Sequence, residues 1–566
     1  MSLVPISSFS GALAPKVSKQ IFEESSDGDD EKNVYEHSDE VEYHDTNKLP
    51  LQVYTHYAEI QRSYEEDNRL DELYEAQELQ RKTDPHANLT TAKLESQRQL
   101  RAAKIYSVFF LITTDILGPS NAPYAIAQMG YVPGVILYVL FGCMAAFGGY
   151  LLNRAFCRLD SNNYPIRTFS DLAARCIGYW FRYPFAILQF IQMIMNVGLI
   201  LLGTATAVAE VIVQYHGHNT FCFVVNILVW ALFGMLLGQI KTLHRFAHIA
   251  NSAVWMNIAI CIITMVAAAT TTPYYSIFWA NYGHDYPYNT TDILRYAITP
   301  GTLSTRIAGM NNMVFAWGGA TIFCEVMAEL KRPMDFWKGM ICGQALILVV
   351  YLFFGLFVYS YWGQWSYVTA NLGIAKQGLQ VAGNILSIIS GLLAAVLYGN
   401  VGIKVLYQGF LVADFNFPKL TTKKGTIYWA IAVVIYWAVA FIIGTAIPSI
   451  SALVGIIGAF CIFNFSYTFP FMFNFVLMVR EDAGRGDTFD IQTITVTRGD
   501  TWRNASRWKR GLFYGGTYRS MVKLAFFLLT LASLATCGLC SYSAIEQAIA
   551  VYQTNVATSF GCSANV

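Results

Sequence analysis

From Ile105 onward the chain is a succession of eleven apolar runs. They are Ile105–Met129, Tyr131–Phe156, Phe185–Val213, Phe221–Ile240, Ala247–Thr270, Ile307–Leu330, Phe336–Tyr361, Leu379–Tyr407, Ile427–Ile447, Ser449–Val479 and Met521–Ile545. A helix of about 20 apolar residues crosses the hydrocarbon core of a bilayer. Lipid offers backbone N–H and C=O groups no partner, so a run that crosses must satisfy them internally, as a helix does. The runs predict an all-α membrane protein with 11 transmembrane helices.

Charge is scarce and unevenly placed. Asp, Glu, Lys and Arg make up 13% of the chain, against about 25% in a soluble domain. Of the 37 acidic residues, 21 precede residue 105. Three regions follow: an acidic N-terminal tail over 1–104, a transmembrane domain over 105–545, and a short C-terminal tail over 546–566. The stretch from Glu23 to Glu31 cannot bury enough apolar surface to offset the entropy of ordering it. The tail therefore reads as disordered and cytosolic, with a helix near Tyr57–Arg81, and as the place where regulatory or ubiquitination machinery would dock. Its polar first hundred residues do not read as a signal peptide. The net charge of +1 carries no basic stripe of the kind that binds nucleic acid.

The cations set an orientation. Loops on the N-terminal side of the membrane carry twenty-three Lys and Arg, among them Arg154, Arg158, Lys241, Lys331, Lys404 and Arg480. The other side has three, Arg295, Arg306 and Lys376. Cytosolic loops hold the excess of Lys and Arg, so the N-terminus is expected inside and the C-terminus outside. The sequon Asn289-Thr290-Thr291 then falls outside, as a glycosylation site should; those at Asn88 and Asn504 fall inside. The 11 cysteines lie mostly in apolar runs and read as small buried hydrophobes. Cys222, Cys540 and Cys562 lie near the outer face, where a disulfide is chemically allowed, but the sequence selects no pair.

Two runs are interrupted in the middle. The first contains Asp115-Ile116-Leu117-Gly118-Pro119-Ser120-Asn121-Ala122-Pro123, and the sixth contains Phe315-Ala316-Trp317-Gly318-Gly319-Ala320-Thr321. Gly–Pro and Gly–Gly weaken a helix interior. The freed backbone groups need partners at a depth where lipid has none, and a small ligand in a cavity supplies them. A single break reads as a kink or packing site. Breaks in the first and sixth helices match, because a shift of five helices inverts topology, and this pattern of a 5+5 inverted repeat points to a transporter's binding site. Amides of Gly118, Ser120 and Asn121 suit a carboxylate. Carbonyls near Ile116 and Leu117, and from Phe315 to Trp317, suit an ammonium group or a cation. Together they match a zwitterionic α-amino acid, with Gly318, Gly319 and Ala320 completing the sixth-helix side.

Three acids stand well inside the runs: Asp115, Glu210 and Glu325. Such groups are costly in lipid and default to function. Asp115 and Glu325 flank the breaks and are the proton-coupling candidates, against a structural reading as caps or ion-pair partners. Glu210 lies near the outer end of its helix and is expected exposed. His248 sits in a cytosolic polar cluster and reads as structural. Met193, Asn196, Tyr398 and Asn400 are further candidates to line the cavity, against an ordinary packing role, and Ser387 and Ser390 to help hold a cation. Arg167–Trp180 reads as a short interfacial helix.

The stretch Phe315-Ala316-Trp317-Gly318-Gly319-Ala320-Thr321-Ile322-Phe323-Cys324-Glu325-Val326-Met327-Ala328-Glu329-Leu330 resembles the sixth-helix signature of the amino acid/auxin permease family, and Leu117-Gly118-Pro119-Ser120-Asn121-Ala122-Pro123-Tyr124 resembles its first-helix counterpart. The similarity covers residues 100–545. The acidic tail and Lys331-Arg332-Pro333-Met334-Asp335-Phe336 look closest to the fungal neutral amino acid permeases. The resemblance implies a LeuT-like fold and proton-driven uptake of neutral aliphatic and aromatic amino acids at the plasma membrane, with no cofactor beyond a co-transported H⁺; Na⁺ stays open as the coupling ion. Where many relatives carry a polar residue, often His, after the helix-6 glycine, this chain has Ala320, a small residue that leaves room for bulky substrates beside Trp317.

Two other readings use the same architecture: a vacuolar exporter or exchanger, and a transporter-shaped nutrient sensor signalling through the tail. A channel would need a ring of like residues as a filter, and none stands out. No nucleophile–base constellation, metal-ligand cluster or Walker sequence points to an enzyme.

Overall fold

The computed structural model describes residues 48–67, 69–70, 72, 101, 103, 105–116, 118–216, 221–240, 243–283, 287–412, 415, 417–418, 422–447, 449–490, 495–553 and 560–562. Each apolar run is helical. The first divides into α2 (Ile105–Ile116) and α3 (Ala122–Met129), preceded by α1 (Leu51–Glu66) in the tail. Then come α4 (Tyr131–Leu159), α5 (Phe169–Cys176), α6 (Arg182–His216), α7 (Phe223–Leu237), α8 (Leu243–Thr270) and α9 (Tyr275–Tyr282). The sixth run divides into α10 (Leu303–Phe315) and α11 (Phe323–Glu329). The remainder is α12 (Phe336–Trp362), α13 (Gln377–Leu406), α14 (Lys423–Ala446), α15 (Ile450–Ile457), α16 (Phe469–Ala483), α17 (Ala505–Phe513) and α18 (Gly516–Gln553). A small antiparallel hairpin, β1 (Thr488–Asp490) with β2 (Thr495–Thr497), precedes α17.

Among the described residues eight helices are long and apolar enough to cross a membrane. The chain is a multi-pass helical membrane protein. Large apolar side chains such as Ile136, Phe233, Val349, Phe353 and Ile431 stand exposed on the helix surfaces. That pattern suits lipid on the outside, since a water-soluble protein rarely exposes so extensive an apolar surface. The interior holds two main cores. One surrounds α2, α3, α4, α10, α11, α12 and the π-helical turns Gly458–Ile462 and Asn464–Thr468 between α15 and α16. The other lies between α6, α7, α13 and α14, around Trp429 and Trp437.

Three expectations are refined here. The helix expected near Tyr57–Arg81 starts earlier, at Leu51, and runs to Glu66, with residues 73–81 outside the described residues; it is docked, since Val53, Tyr54, Tyr57 and Ala58 are buried. Apolar residues at i, i+1, i+4 and i+5 form a narrow stripe that the surrounding acidic composition conceals. The Arg167–Trp180 segment contains the expected short helix, packed within the protein. Its helix, α5, is closed by a Thr168–Asp171 capping box, and all eight of its residues are buried. Cys222 pairs with Cys562, and Cys540 is free and buried. The long separation in sequence gave no spacing signal.

A charge cluster fixes α1. Asp160, just past α4, is buried between Arg101 (Nη2 to Oδ1, 2.7 Å) and Arg62 of α1 (Nη2 to Oδ2, 3.0 Å). Burial pushes the Asp160 carboxyl up, Arg101 and Arg62 pull it down, and the balance lies below its ordinary value. A depressed carboxyl stabilises the docked form at every pH above its unfolded value, and that contribution is lost only as pH falls through the lower folded value. The docking therefore holds at neutral pH. Next to this cluster, Ala103 pairs with Leu330, so the chain before α2 is tied to the chain after α11 (Ala103 N–H to Glu329 O, 3.0 Å; Lys331 N–H to Ala103 O, 3.0 Å). Substituting Asp160→Asn takes the carboxylate from buried Arg101 and leaves Arg62 with Glu65 alone, a loss of about 3–5 kcal/mol. Trypsin cleavage at Arg62 in the purified protein is expected to speed up at least about tenfold, since 1.4 kcal/mol is already a factor of ten. Unchanged cleavage would show that another contact holds α1.

Candidate functional site

The two interruptions lie side by side. α2 ends at Ile116, Gly118 is neither helical nor extended (φ −137°, ψ 67°), and a 3₁₀ turn over Pro119–Asn121 leads into α3. α10 ends at Phe315, Trp317 leaves helical geometry (φ −112°, ψ 29°), and a 3₁₀ segment over Gly318–Ile322 leads into α11. Asn121 Nδ2 donates to Asn312 O of α10 (3.4 Å), joining one break to the other. Pro supplies no donor and Gly no side chain at these points, so the local sequence cannot restore the missing helical bonds.

Tyr351 of α12 serves both breaks. Its hydroxyl accepts from Gly118 N–H (3.3 Å), and its ring stacks on Trp317 (6.5 Å between centroids, 26°). Tyr138 of α4 stands 6.2 Å from the same ring. One turn further along α4, Gly142 lies against the Trp317 indole: a Cβ there would stand 2.7 Å from the ring. The Trp317 carbonyl accepts from Ser466 Oγ (2.9 Å), so one carbonyl expected to face a ligand already has a partner. Gly118 is exposed, and nothing lies within 4 Å of where its Cβ would be. Trp317 Nε1, Tyr138 Oη and Asn312 Oδ1 are buried with no hydrogen-bond partner among the described residues. A buried unsatisfied polar atom costs about 1–3 kcal/mol, so these are groups that a polar ligand would relieve.

Glu325 begins α11. Its Oε1 accepts from Gln189 Nε2 of α6 (2.7 Å) and from Phe169 N–H at the start of α5 (3.3 Å), while Oε2 is buried without a partner among the described residues. Gln189 Nε2 also donates to Thr321 O (2.9 Å), and Thr321 Oγ1 donates to Gln192 Oε1 (2.9 Å). The carboxyl is thus one side chain away from the interrupted backbone.

The structure brings together Gly118, Ser120, Asn121, Phe315, Trp317, Gly318, Gly319 and Ala320, with Glu325 behind them. Leu117 and the side chains of Asp115 and His248 lie outside the described residues. Asn196 is buried on α6 with Oδ1 unpartnered among the described residues, and Met193 is buried against Gly402. Tyr398 is half-buried between the two cores. Asn400 caps the chain after α7 (Nδ2 to Ile240 O, 2.8 Å), and Ser390 bonds Asn257 of α8 (2.7 Å), so both side chains are engaged in packing. Ser387 is half-buried on α13, and Asn289 is exposed. Glu210 is not exposed but 1% accessible, held by α13; an acid near a helix end was read as solvated, whereas α13 covers it. Sequence reasoning missed Tyr351, Tyr138, Gly142, Ser466 and Gln189. Tyr351 was readable as one of Gln344, Ile347, Tyr351, Phe354 and Val358, the buried stripe of α12 at helical spacing, and Gln189 as part of a polar stripe on α6; Tyr138, Gly142 and Ser466 carry no local signal.

The contact between Gly142 and Trp317 gives a direct check. Gly142→Ala forces a rigid ring to move, and overpacking of this kind costs about 1–3 kcal/mol. The variant is expected to reach the membrane while losing most of its transport activity. Wild-type activity would mean that the placement of Trp317 does not matter.

The sequence profile of the family described as "Transmembrane amino acid transporter protein" matches residues 102–498. A "Transmembrane transporter" of Fusarium pseudograminearum is 24% identical over 378 residues, covering 64% of this chain and 72% of its own. An "N amino acid transport system protein" of Neurospora crassa is 23% identical over 405 residues, covering 69% and 80%. "Lysine histidine transporter-like 3" of Arabidopsis thaliana is 21% identical over 384 residues, covering 64% and 79%. The profile spans well over half the chain and includes both interruptions, and the relatives are named as transporters, not enzymes. The chain belongs to the family of transmembrane amino acid transporter proteins.

Proposed function

We propose that this protein carries neutral aliphatic and aromatic amino acids into the cell together with a proton, through eleven spans arranged as a LeuT-like 5+5 inverted repeat. The observation that carries the reading is the meeting of the two interrupted helices around Gly118 and Trp317, with unpartnered polar atoms beside an opening. A zwitterion needs both donors and acceptors at one point, and two broken helices supply both. Ala320, small and buried beside Trp317, suits an uncharged side chain. Glu325, with Oε2 unpartnered and Gln189 linking it to Thr321 O, is the proposed proton carrier, with Asp115 as the second.

Orientation is proposed with the basic loops and α1 in the cytosol and the C-terminal segment outside, in the plasma membrane. The Cys222–Cys562 bond supports this, because disulfides persist in oxidising compartments, and it lies at the end of the bundle away from Arg154, Arg158 and Arg182. Asn289 is exposed on that same side and is proposed to be glycosylated.

Two measurements test the reading. Labelled leucine uptake by cells producing the protein is expected to rise as external pH falls and to collapse with a protonophore; uptake that ignores both and follows sodium would sink the proton claim. Ala320→Phe is expected to reduce uptake of tyrosine and leucine at least about tenfold more than that of glycine or alanine, since overpacking costs about 1–3 kcal/mol. Equal effects on large and small substrates would remove Ala320 from the pocket.

A further inference from the structure

Glu210 is a carboxyl buried within the bundle, and it is not among the proton carriers considered above. It stands on α6, about one and a half turns from the helix end at His216. From α13, Asn384 Nδ2 (3.0 Å) and Gln380 Nε2 (3.3 Å) both donate to its Oε2. Its Oε1 is buried and has no partner among the described residues, and no Lys, Arg or His among them lies within ion-pairing distance of it. The side chains facing it are Gln380 and Asn384 from α13, Tyr274 after α8, and Tyr367 in the loop between α12 and α13. On its own helix His216 is exposed, and Lys376 before α13 is exposed. α7 has no titratable residue, and α14 keeps Lys423 and Lys424 at the far end. A lone carboxylate in such a place costs several kcal/mol, whereas a protonated one is neutral and stays.

The carboxyl is also linked to the first break. Asn384 Oδ1 accepts from Asn371 Nδ2 (3.0 Å), and Asn371 belongs to the 3₁₀ turn Ala370–Gly373, which packs against Pro119–Asn121. Tyr367, just before that turn, is in electrostatic range of both Glu210 and Tyr124 of α3.

We propose that Glu210 is a proton-binding site filled from the outer side, and that its protonation sets how the turn Ala370–Gly373 closes over the substrate cradle. The proton adds to Oε1 from external water, forming an O–H bond and a neutral carboxyl, and returns to water as the outer ends of α6 and α13 part. Loss of the proton leaves a carboxylate that draws both amides and pulls Asn384 away from Asn371. The site rests on the transport reading for its effect on substrate, but not for its proton.

The experiment has two arms. The first is infrared titration of the purified protein in lipid, in an Asp115→Asn, Glu325→Gln background that leaves Glu210 as the acid well inside the spans. A protonated-carboxyl band is expected that disappears on adding Glu210→Gln; no band, or a band that survives the substitution, overturns the proposal. The second arm measures the KM for leucine against external pH in otherwise wild-type protein. KM is expected to rise about tenfold per pH unit above the titration point, and to stay at its acidic value in Glu210→Gln, which keeps the shape of the protonated side chain. Asn371→Ala, which leaves Glu210 intact, is expected to flatten the same profile while keeping the infrared band, and it serves if Glu210→Gln does not fold. Wild-type pH dependence in either variant overturns the coupling. If wild-type uptake ignores the proton gradient altogether, the symport reading fails, and the infrared arm still decides whether Glu210 binds a proton.

Discussion

Every feature of this fold answers to the absence of water around the backbone. A continuous helix meets that constraint unaided, and the described long helices do so. The two interrupted runs cannot, because Gly118-Pro119 and Gly318-Gly319 remove the local bonds. Their substitutes come from elsewhere in the bundle: Tyr351 Oη for the Gly118 amide, Ser466 Oγ for the Trp317 carbonyl, and Asn121 Nδ2 for Asn312 O. α4, α12 and the π-helical stretch before α16 are therefore built around the breaks. The π turns shift Ser466 into reach, a recurrent use of such turns.

The same constraint governs charge. At the basic end the acids are paired: Asp160 with Arg62 and Arg101, Asp482 with Arg519 and Lys523, Asp487 with Arg507. These pairs knit the tail helix and the β1–β2 hairpin region to the helix ends. Deeper in the bundle, Glu210 and Glu325 have amides in place of cations. An amide donor holds a carboxyl in position without fixing its charge, whereas a guanidinium would keep it ionised. Paired acids at the membrane surface and amide-held acids within it thus have different chemistry by position.

Much of the fold was legible because its signals are periodic and long. The apolar runs gave the helices, and the Gly–Pro and Gly–Gly dipeptides gave the breaks. What failed was anything set by a partner far along the chain. The α1 stripe of Val53, Tyr54, Tyr57 and Ala58 is too short to outweigh an acidic neighbourhood until α4 and Asp160 are present to receive it. Cys562 had no visible partner until its chain was placed beside Cys222. In the site, Trp317 and Asn121 were readable from the break itself, whereas Tyr351 and Gly142 matter only because of what they face.

Glu210 is the instructive case, since its burial had a sequence signal. Gln189, Asn196 and Glu210 are separated by seven and fourteen residues, and a helix drifts only about 20° per heptad. The three therefore share one face of α6, and that face is buried at all three positions. A polar stripe along a 35-residue helix cannot face lipid, so it must face partners. At one end it reaches Thr321 and Glu325 beside the second break; at the other, through Asn384 and Asn371, it reaches the turn against the first. Each break thus has a carboxyl connected to it by amide side chains, and both connections run through α6. Under the proposed mechanism, a change of proton at either carboxyl alters the donors available to the adjoining break. α6 need not move for the two to be coupled, because it is the common strut against which both rearrange.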